Sequence, residues 1–315
     1  MKEFTVISNN TTTAPHRENT IPLPDGKEWH TLGSNAVILG INEDDYHSVT
    51  GMCSASQLKV LDNSTAMHLA HRLANPMNTP AMRVGRALHC GVLEPQLVVS
   101  RFVVAPKCDR RTKAGKEAFA SFESTAGEAT ILTESEGLQV AHMMEAIEGS
   151  SIACDLLDSC EIREATLLAN LHGVPCKARV DAMSRDGSVI CDLKTTGTLA
   201  STKEMESVMW RFGYGLQMCM YREMMRANGA DCEHVTIIAV EKAAPYGVQV
   251  FLVTPEVMDL HLPRVERLLG EWQETIGSGV TPGWGDTTIP IGVPDWARKD
   301  LEIEAEMAAA MGGAE

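Results

Sequence analysis

Asp181 is followed eleven positions later by Asp192 and then by Lys194, a set of residue types suited to hydrolysis at a phosphate. Two carboxylates brought together repel each other, so a fold keeps such a pair more readily when a cation sits between them. Hard divalent ions accept carboxylate oxygens, waters and phosphate oxygens as ligands. A lysine next to the pair can orient an attacking water and offset negative charge developing on the phosphoryl oxygens.

Stepping outward, Asp186-Gly187 reads as a two-residue hairpin turn, because a type I′ turn needs φ > 0 at both central positions. That turn places Arg185 opposite Ser188, Asp181 opposite Asp192 and Arg179 opposite Lys194. Side chains alternate along a strand, so Asp181, Asp192, Arg179 and Lys194 are expected on one face. Strands are predicted over 162–171, 174–183, 189–195, 235–240 and 248–253. Helices are predicted over 54–73, 82–93, 134–147, 152–157, 203–227 and 255–276. Helices, a cluster of strands, a helix and more strands give an α/β (α+β) class with a central mixed sheet flanked by helices. Residues 1–35, rich in Asn, Thr and Pro, read as a flexible arm, 36–281 as one domain, and 282–315 as an acidic tail or short helix.

Further motifs surround the hairpin. Gly85 and His89 share one face of a predicted helix, as do Gln217 and Tyr221 of another. Asp181…Asp192-x-Lys194 resembles the PD-(D/E)xK nuclease core, with Val180 where that family often has Pro. Gly85-x-x-x-His89 and Gln217-x-x-x-Tyr221 resemble elements of its branch related to the RecB nuclease domain and lambda exonuclease. Ser54-Ala55-Ser56-Gln57-Leu58-Lys59, Thr79 to His89, Leu93-Glu94-Pro95, Arg110 to Lys116, and Gly213-Tyr214-x-x-Gln217-x-x-x-Tyr221 resemble the RecE-type exonuclease VIII proteins of phages and prophages. The resemblance spans roughly residues 40–280.

It implies a restriction-endonuclease-like fold and Mg²⁺-dependent 5′→3′ digestion of double-stranded DNA from its ends, with Mn²⁺ as a substitute ion. It also implies a 3′ single strand left for a RecT-type annealing protein, a ring-shaped homo-oligomer, and residence in the cytoplasm. Within it Asp181, Asp192, the Leu193 carbonyl and Glu164 are candidate metal ligands, His89 is a second-metal ligand or a contact to the scissile phosphate, and Lys194 positions the water. Gln217 and Tyr221 would orient Lys194 or touch the substrate strand. Arg83 and Arg86, on the His89 helix, and Arg110, Arg111, Lys113 and Lys116, in a basic loop, are candidate DNA contacts. Ser54 and Ser56 either cap a helix or hold a terminal 5′-phosphate at its N-terminus.

Composition limits the alternatives. The 315 residues carry 42 acidic against 27 basic side chains, a formal charge of −15. Such a chain does not coat nucleic acid through a uniformly basic surface. Residues 107–116 nevertheless hold five basic groups against Asp109, so a basic passage on an acidic body is expected, with weak DNA binding in the absence of metal and strong salt dependence. The nine cysteines form no C-x-x-C pair and read as reduced thiols in a cytosol. The last of them is Cys232, which argues against an iron–sulphur nuclease of the same core. No apolar run approaches a membrane span. The rival readings are an endonuclease of the same core, or a catalytically inert DNA-binding or assembly protein that keeps the fold.

Overall fold

The computed structural model describes residues 6–8, 20–22, 28–30 and 35–312. It forms two compact units, Met1–Thr281 and Pro282–Glu315. The larger unit opens with β1 (Val6–Ser8), β2 (Thr20–Pro22), β3 (Glu28–His30), β4 (Ala36–Leu39), α1 (Glu43–Ser48), α2 (Ala55–Asn63), α3 (Ala66–Ala74) and α4 (Pro80–Leu93). Next come α5 (Val98–Arg101), β5 (Phe102–Val104), α6 (Lys113–Ala126), β6 (Thr130–Leu132), α7 (Glu134–Glu148) and α8 (Ser151–Ser159). The unit closes with β7 (Ile162–Leu171), β8 (Val174–Met183), β9 (Val189–Thr196), α9 (Thr202–Arg211), α10 (Tyr214–Ala227), β10 (His234–Glu241), β11 (Val248–Val253) and α11 (Pro255–Ser278). The smaller unit contains α12 (Asp295–Gly312), an acidic helix. The arm expected over residues 1–35 lies largely outside the described residues.

Seven strands form one mixed sheet in the order β1-β4-β7-β8-β9-β10-β11. The run β7-β8-β9 is antiparallel, β10 lies parallel to β9, and β11 returns antiparallel as an edge. Aliphatic residues build both faces. Ala165, Leu167, Val180, Ile190, Val235 and Ile237 pack with buried residues of α2, α3, α10 and α11. Ala182, Cys191, Leu193, Ile238 and Val240 pack with Val84, Leu88, Met143 and Ala153 from α4, α7 and α8. A sheet buried on both faces between helical layers is the α/β architecture that the element order predicts. No helix among the described residues is long and apolar enough to cross a membrane.

Two of the predicted long helices are broken. The first splits at Ser64-Thr65, where the Ser64 hydroxyl donates to the Val60 carbonyl and Thr65 starts α3; such side chains compete with the helical ladder. The 203–227 helix splits at Phe212-Gly213, because Gly213 takes the left-handed conformation (φ 62°, ψ 34°) that only glycine adopts without steric cost. The basic segment is not wholly a loop: Thr112 accepts from the Gly115 N–H and caps α6, placing Lys113 and Lys116 in its first turns. Elsewhere the ends are set by ordinary signals, such as Thr79 with Pro80 at the start of α4 and a Thr133/Glu136 capping box on α7.

The hairpin turn differs in type but not in register. Its four-residue turn runs from Ser184 to Gly187, whose N–H donates to the Ser184 carbonyl, and Ser184 N–H pairs with the Val189 carbonyl. Gly187 has φ 73°, whereas Asp186 keeps a negative φ, so the turn is not type I′. The pairs Ala182↔Cys191 and Met183↔Ile190 keep the register expected from sequence.

Candidate active site

The site forms where the β8–β9 ladder opens. Beyond Ala182↔Cys191 the strands are joined not by a backbone pair but by the Asp181 carboxylate, whose Oδ2 accepts from the Leu193 N–H at 2.7 Å. On its other side, β8 pairs with β7 at Arg163↔Ala182 and at Ala165↔Val180, leaving Glu164 and Asp181 opposite each other at a gap. Glu164 has φ 50°, a conformation uncommon outside glycine and one that costs energy for a side chain of this size. Alternation also shifts there: Ala178 and Val180 face the α10 side, whereas Ala182 faces α4 and Met183 faces α10.

That kink corrects the expected face arrangement. Arg179 lies on the sheet face opposite to Ala178 and Val180, where its guanidinium donates to Glu164 Oε2 at 2.5 Å and to the Ile41 carbonyl at 2.6 Å. Asp192 and Lys194, flanking the inward-facing Leu193, lie towards α10 instead. The carboxylates that crowd directly across a ladder gap are therefore Glu164 and Asp181, with Asp192 one strand further on.

Opening the ladder lets both helical layers reach the same point. From α4, His89 brings Nδ1 to 3.5 Å from Asp181 Oδ1. Ligand atoms of His89, Glu164 and Asp181 all lie within 4.8 Å of one another, a group able to hold a metal ion. From α10, Gln217 donates through Nε2 to Asp192 Oδ1 at 3.2 Å and to the Tyr221 hydroxyl at 2.8 Å. Tyr221 in turn donates to the Arg179 carbonyl at 3.1 Å. Lys194 Nζ lies 2.5 Å from Asp192 Oδ2, yet that oxygen has no hydrogen bond of good geometry. A 1 %-exposed carboxylate oxygen left in that state, next to an oxygen-rich trio with one imidazole, is a donor set that fits a hard divalent ion.

Each titratable group carries the mark of this crowding. Burial, and then the Asp181 charge, push Glu164 up to about 6 despite Arg179. Burial likewise raises Asp192, with Lys194 opposing it. Asp181 is held below the ordinary range because His89 overcomes the upward push of burial. Burial alone would lower His89, but Asp181 raises it to about 9. Lys194 is raised, since Asp192 outweighs burial.

Lys59, on α2, is a member of this constellation that spacing did not single out. Its Nζ donates to Gln217 Oε1 at 2.6 Å and stands 5.1 Å from the centroid of the Tyr214 ring. Lys194 stands at the same distance from that ring. Burial, and then repulsion by Lys194, lower Lys59 to about 7. The sequence signal was present, as Lys59 closes the Ser54-to-Lys59 motif, but nothing in it tells which motif lysine turns inward.

The candidate DNA contacts are scattered. Arg83 is engaged by Glu136 at 2.6 Å, and Arg86 donates to Asn78 Oδ1 at 2.7 Å. Arg111 pairs with Asp109, and Arg110 stacks 3.9 Å over the Phe119 ring. Lys113 lies 3.9 Å from Glu117, and Lys116 is exposed. The Ser54 and Ser56 hydroxyls share a 2.9 Å hydrogen bond, and Ser54 makes no side-chain cap bond, so capping is not what fixes its hydroxyl.

No curated protein matches the chain. Among solved structures, the fold is similar to that of a candidate exonuclease from Eubacterium rectale. That match has a TM-score of 0.58 and 14% identity, over 81% of this chain and 97% of that one. A phage-related exonuclease from Haemophilus somnus 129PT aligns at TM-score 0.29 and 15% identity, over 56% of this chain and 91% of that one. The family described as a PDDEXK-like domain of unknown function (DUF3799) matches residues 54–286, which include every residue of the constellation just described. With that match and the broken β8–β9 ladder at its centre, the chain belongs to the PDDEXK-like DUF3799 family and has the PD-(D/E)xK nuclease fold.

Proposed function

We propose that the protein is a divalent-metal-dependent exodeoxyribonuclease of RecE type, degrading one strand of linear duplex DNA from its 5′ end. The observation that carries this reading is the meeting of His89, Glu164 and Asp181 within 4.8 Å, beside the Asp192–Lys194 pair. These are the residue types that phosphodiester hydrolysis needs in one place. His89, Glu164, Asp181, Asp192 and the Leu193 carbonyl would hold Mg²⁺, or Mn²⁺ in its stead. A bound ion of that kind polarises phosphoryl oxygens and makes a water more acidic.

The chain's own groups have distinct roles. Lys194 orients the attacking water and offsets charge on the phosphate. Gln217 fixes Asp192 through one amide hydrogen and Tyr221 through the other, so the carboxylate keeps one orientation. Ser54 and Ser56 receive the terminal 5′-phosphate at the start of α2. Arg110, Arg111, Lys113 and Lys116 meet the duplex backbone outside the site, while Arg83 supports α4 through Glu136. Digestion would leave a 3′ strand for an annealing partner of RecT type in recombination. A ring-shaped homo-oligomer in the cytoplasm completes the proposal.

The test compares linear with covalently closed circular duplex DNA in Mg²⁺. Release of nucleotides from linear DNA alone, lost on adding a chelator and in Asp192→Asn, supports the reading. Cutting of circles indicates an endonuclease, and metal binding without hydrolysis of either form indicates an inert DNA-binding protein.

A further inference from the structure

We infer that Lys59 is a substrate-binding residue of the site, donating hydrogen bonds to a non-bridging oxygen of a DNA phosphate next to the one that is cut. This inference rests on the nuclease reading above and adds to it a contact that the residue spacing does not show.

Three residues of α10's leading edge are arranged around this one side chain. Gly213 sits against the aliphatic stem: a Cβ built there would lie 3.1 Å from Lys59 Cγ and 3.5 Å from Cδ. Tyr214 offers its ring face to the ammonium, and Gln217 accepts from it. Gly213-Tyr214-x-x-Gln217 therefore forms a cradle that holds the Lys59 head beside Lys194.

The cradle gives the ammonium no ion-pair partner of its own, and Asp192 acts on it only at longer range. Among the described residues no carboxylate lies within ion-pair distance of Lys59, whereas Lys194 has Asp192. An ammonium has three N–H donors, and a single amide oxygen takes one. Lys194 repels Lys59 across the same ring, and Asp192 offsets this only in part, so a further anion at this place would favour the charged form of Lys59. Charge-assisted hydrogen bonds to phosphate oxygens would fill the remaining donors. In a nuclease the anion that arrives there is the DNA backbone. Asp192 Oδ1 accepts from Gln217 Nε2, and Gln217 is fixed with its oxygen towards Lys59, because an ammonium can only donate.

The test uses the full chain, linear duplexes that each carry one neutral methylphosphonate linkage near the 5′ end, and the variants Lys59→Met and Gln217→Met. For wild type, one linkage position should reduce kcat/KM by about ten- to a hundredfold, the worth of a hydrogen bond to a charged group. Lys59→Met should lose about that factor on unmodified DNA and lose nothing more at that linkage. If Lys59→Met remains as sensitive as wild type at every position, the inference is overturned. If Gln217→Met becomes insensitive in the same way, Lys59 acts only by holding Gln217, and the inference is again overturned. Thermal melting and Mg²⁺ calorimetry confirm that the variants are folded and still bind metal. A second arm needs no turnover: in chelator, the slope of log K against log salt for duplex binding should be smaller by about one in Lys59→Met. An unchanged slope counts against the contact even when no hydrolysis is seen, whereas absence of wild-type hydrolysis alone refutes only the nuclease reading.

Discussion

Replacing Glu164 by Gln should stabilise the metal-free protein at neutral pH while removing its activity. Glu164 is held with φ 50° opposite Asp181, buried, and its carboxyl is pushed from 4.5 up to about 6, by burial first and Asp181 second. The folded protein thus holds this proton more tightly than the unfolded chain does, and ionising Glu164 costs stability. The cost is absent well below pH 4.5, develops between pH 4.5 and 6, and is complete above 6. Its full size is roughly 2 kcal/mol, of which under half is already in place at pH 5. Gln keeps an oxygen for Arg179 but carries no charge. Glu164→Gln should therefore gain about 2 kcal/mol at pH 7.5 and under half of that at pH 5. For a domain of this size that corresponds to a rise in Tm on the order of 4–8 °C at the higher pH. The assay is thermal or urea unfolding in chelator at both pH values, repeated with Mg²⁺. Mg²⁺ should raise the wild-type Tm more than that of the variant, because the group proposed to hold it has lost one charged oxygen donor. A variant destabilised equally at pH 5 and 7.5 would refute the reasoning: Glu164 would then be a simple ion-pair partner of Arg179, with no crowding to relieve.

Other expectations follow from the same geometry. Lys194→Ala should lower Mg²⁺-dependent hydrolysis of linear duplex by at least about a hundredfold, measured as acid-soluble nucleotide release, with the melting curve little changed. His89 is raised to about 9, so its contribution to metal-free stability is complete below about pH 6.5 and lost as pH rises through 9; His89→Ala should flatten that part of the stability profile in urea titrations. Metal binding to the same imidazole should release a proton, read by calorimetry in buffers of different ionisation enthalpy. Gly213→Ala faces both a left-handed backbone and the Lys59 stem, and should cost about 1–2 kcal/mol in urea unfolding.

Strand and helix identity were legible where hydrophobic pattern alone decided them. The limits of β7 and β8 match the sequence expectation, and the hairpin register held although the turn type did not. An even-numbered loop fixes the same pairing whichever residues have positive φ. Two features could not be read from local pattern. The breaks at Ser64-Thr65 and Gly213 depend on a serine choosing a backbone acceptor and a glycine leaving space for a distant lysine. The kink at Glu164 and Asp181 depends on two carboxylates meeting across a pair of strands, so alternation assigned Arg179 to the face of Lys194 when it serves Glu164 instead. Lys59 stands within a recognisable motif, but its role is not visible there because its acceptor lies 158 positions away.

The acidity of the whole chain and the chemistry of the site act at different ranges. A formal charge of −15 is spread over the molecule, and at physiological salt its field fades within about 8 Å of each group. Inside the site Lys194, His89 and Arg179, with Lys59 partly charged near neutral pH, stand against Glu164, Asp181 and Asp192. Burial keeps those charges from being screened, so they set the local potential at the site more than the surface total does. Glu164, Asp181 and His89 gather where the β8–β9 ladder opens, whereas Asp192 lies with Lys194 on the α10 side, where Lys59 and Lys194 flank Tyr214. On the nuclease reading, a divalent ion is drawn to the first group and an anionic backbone to the two lysines. Were the two sets intermixed at the same net charge, the potential would cancel across the opening, and neither an ion nor a phosphate would have a preferred place in it.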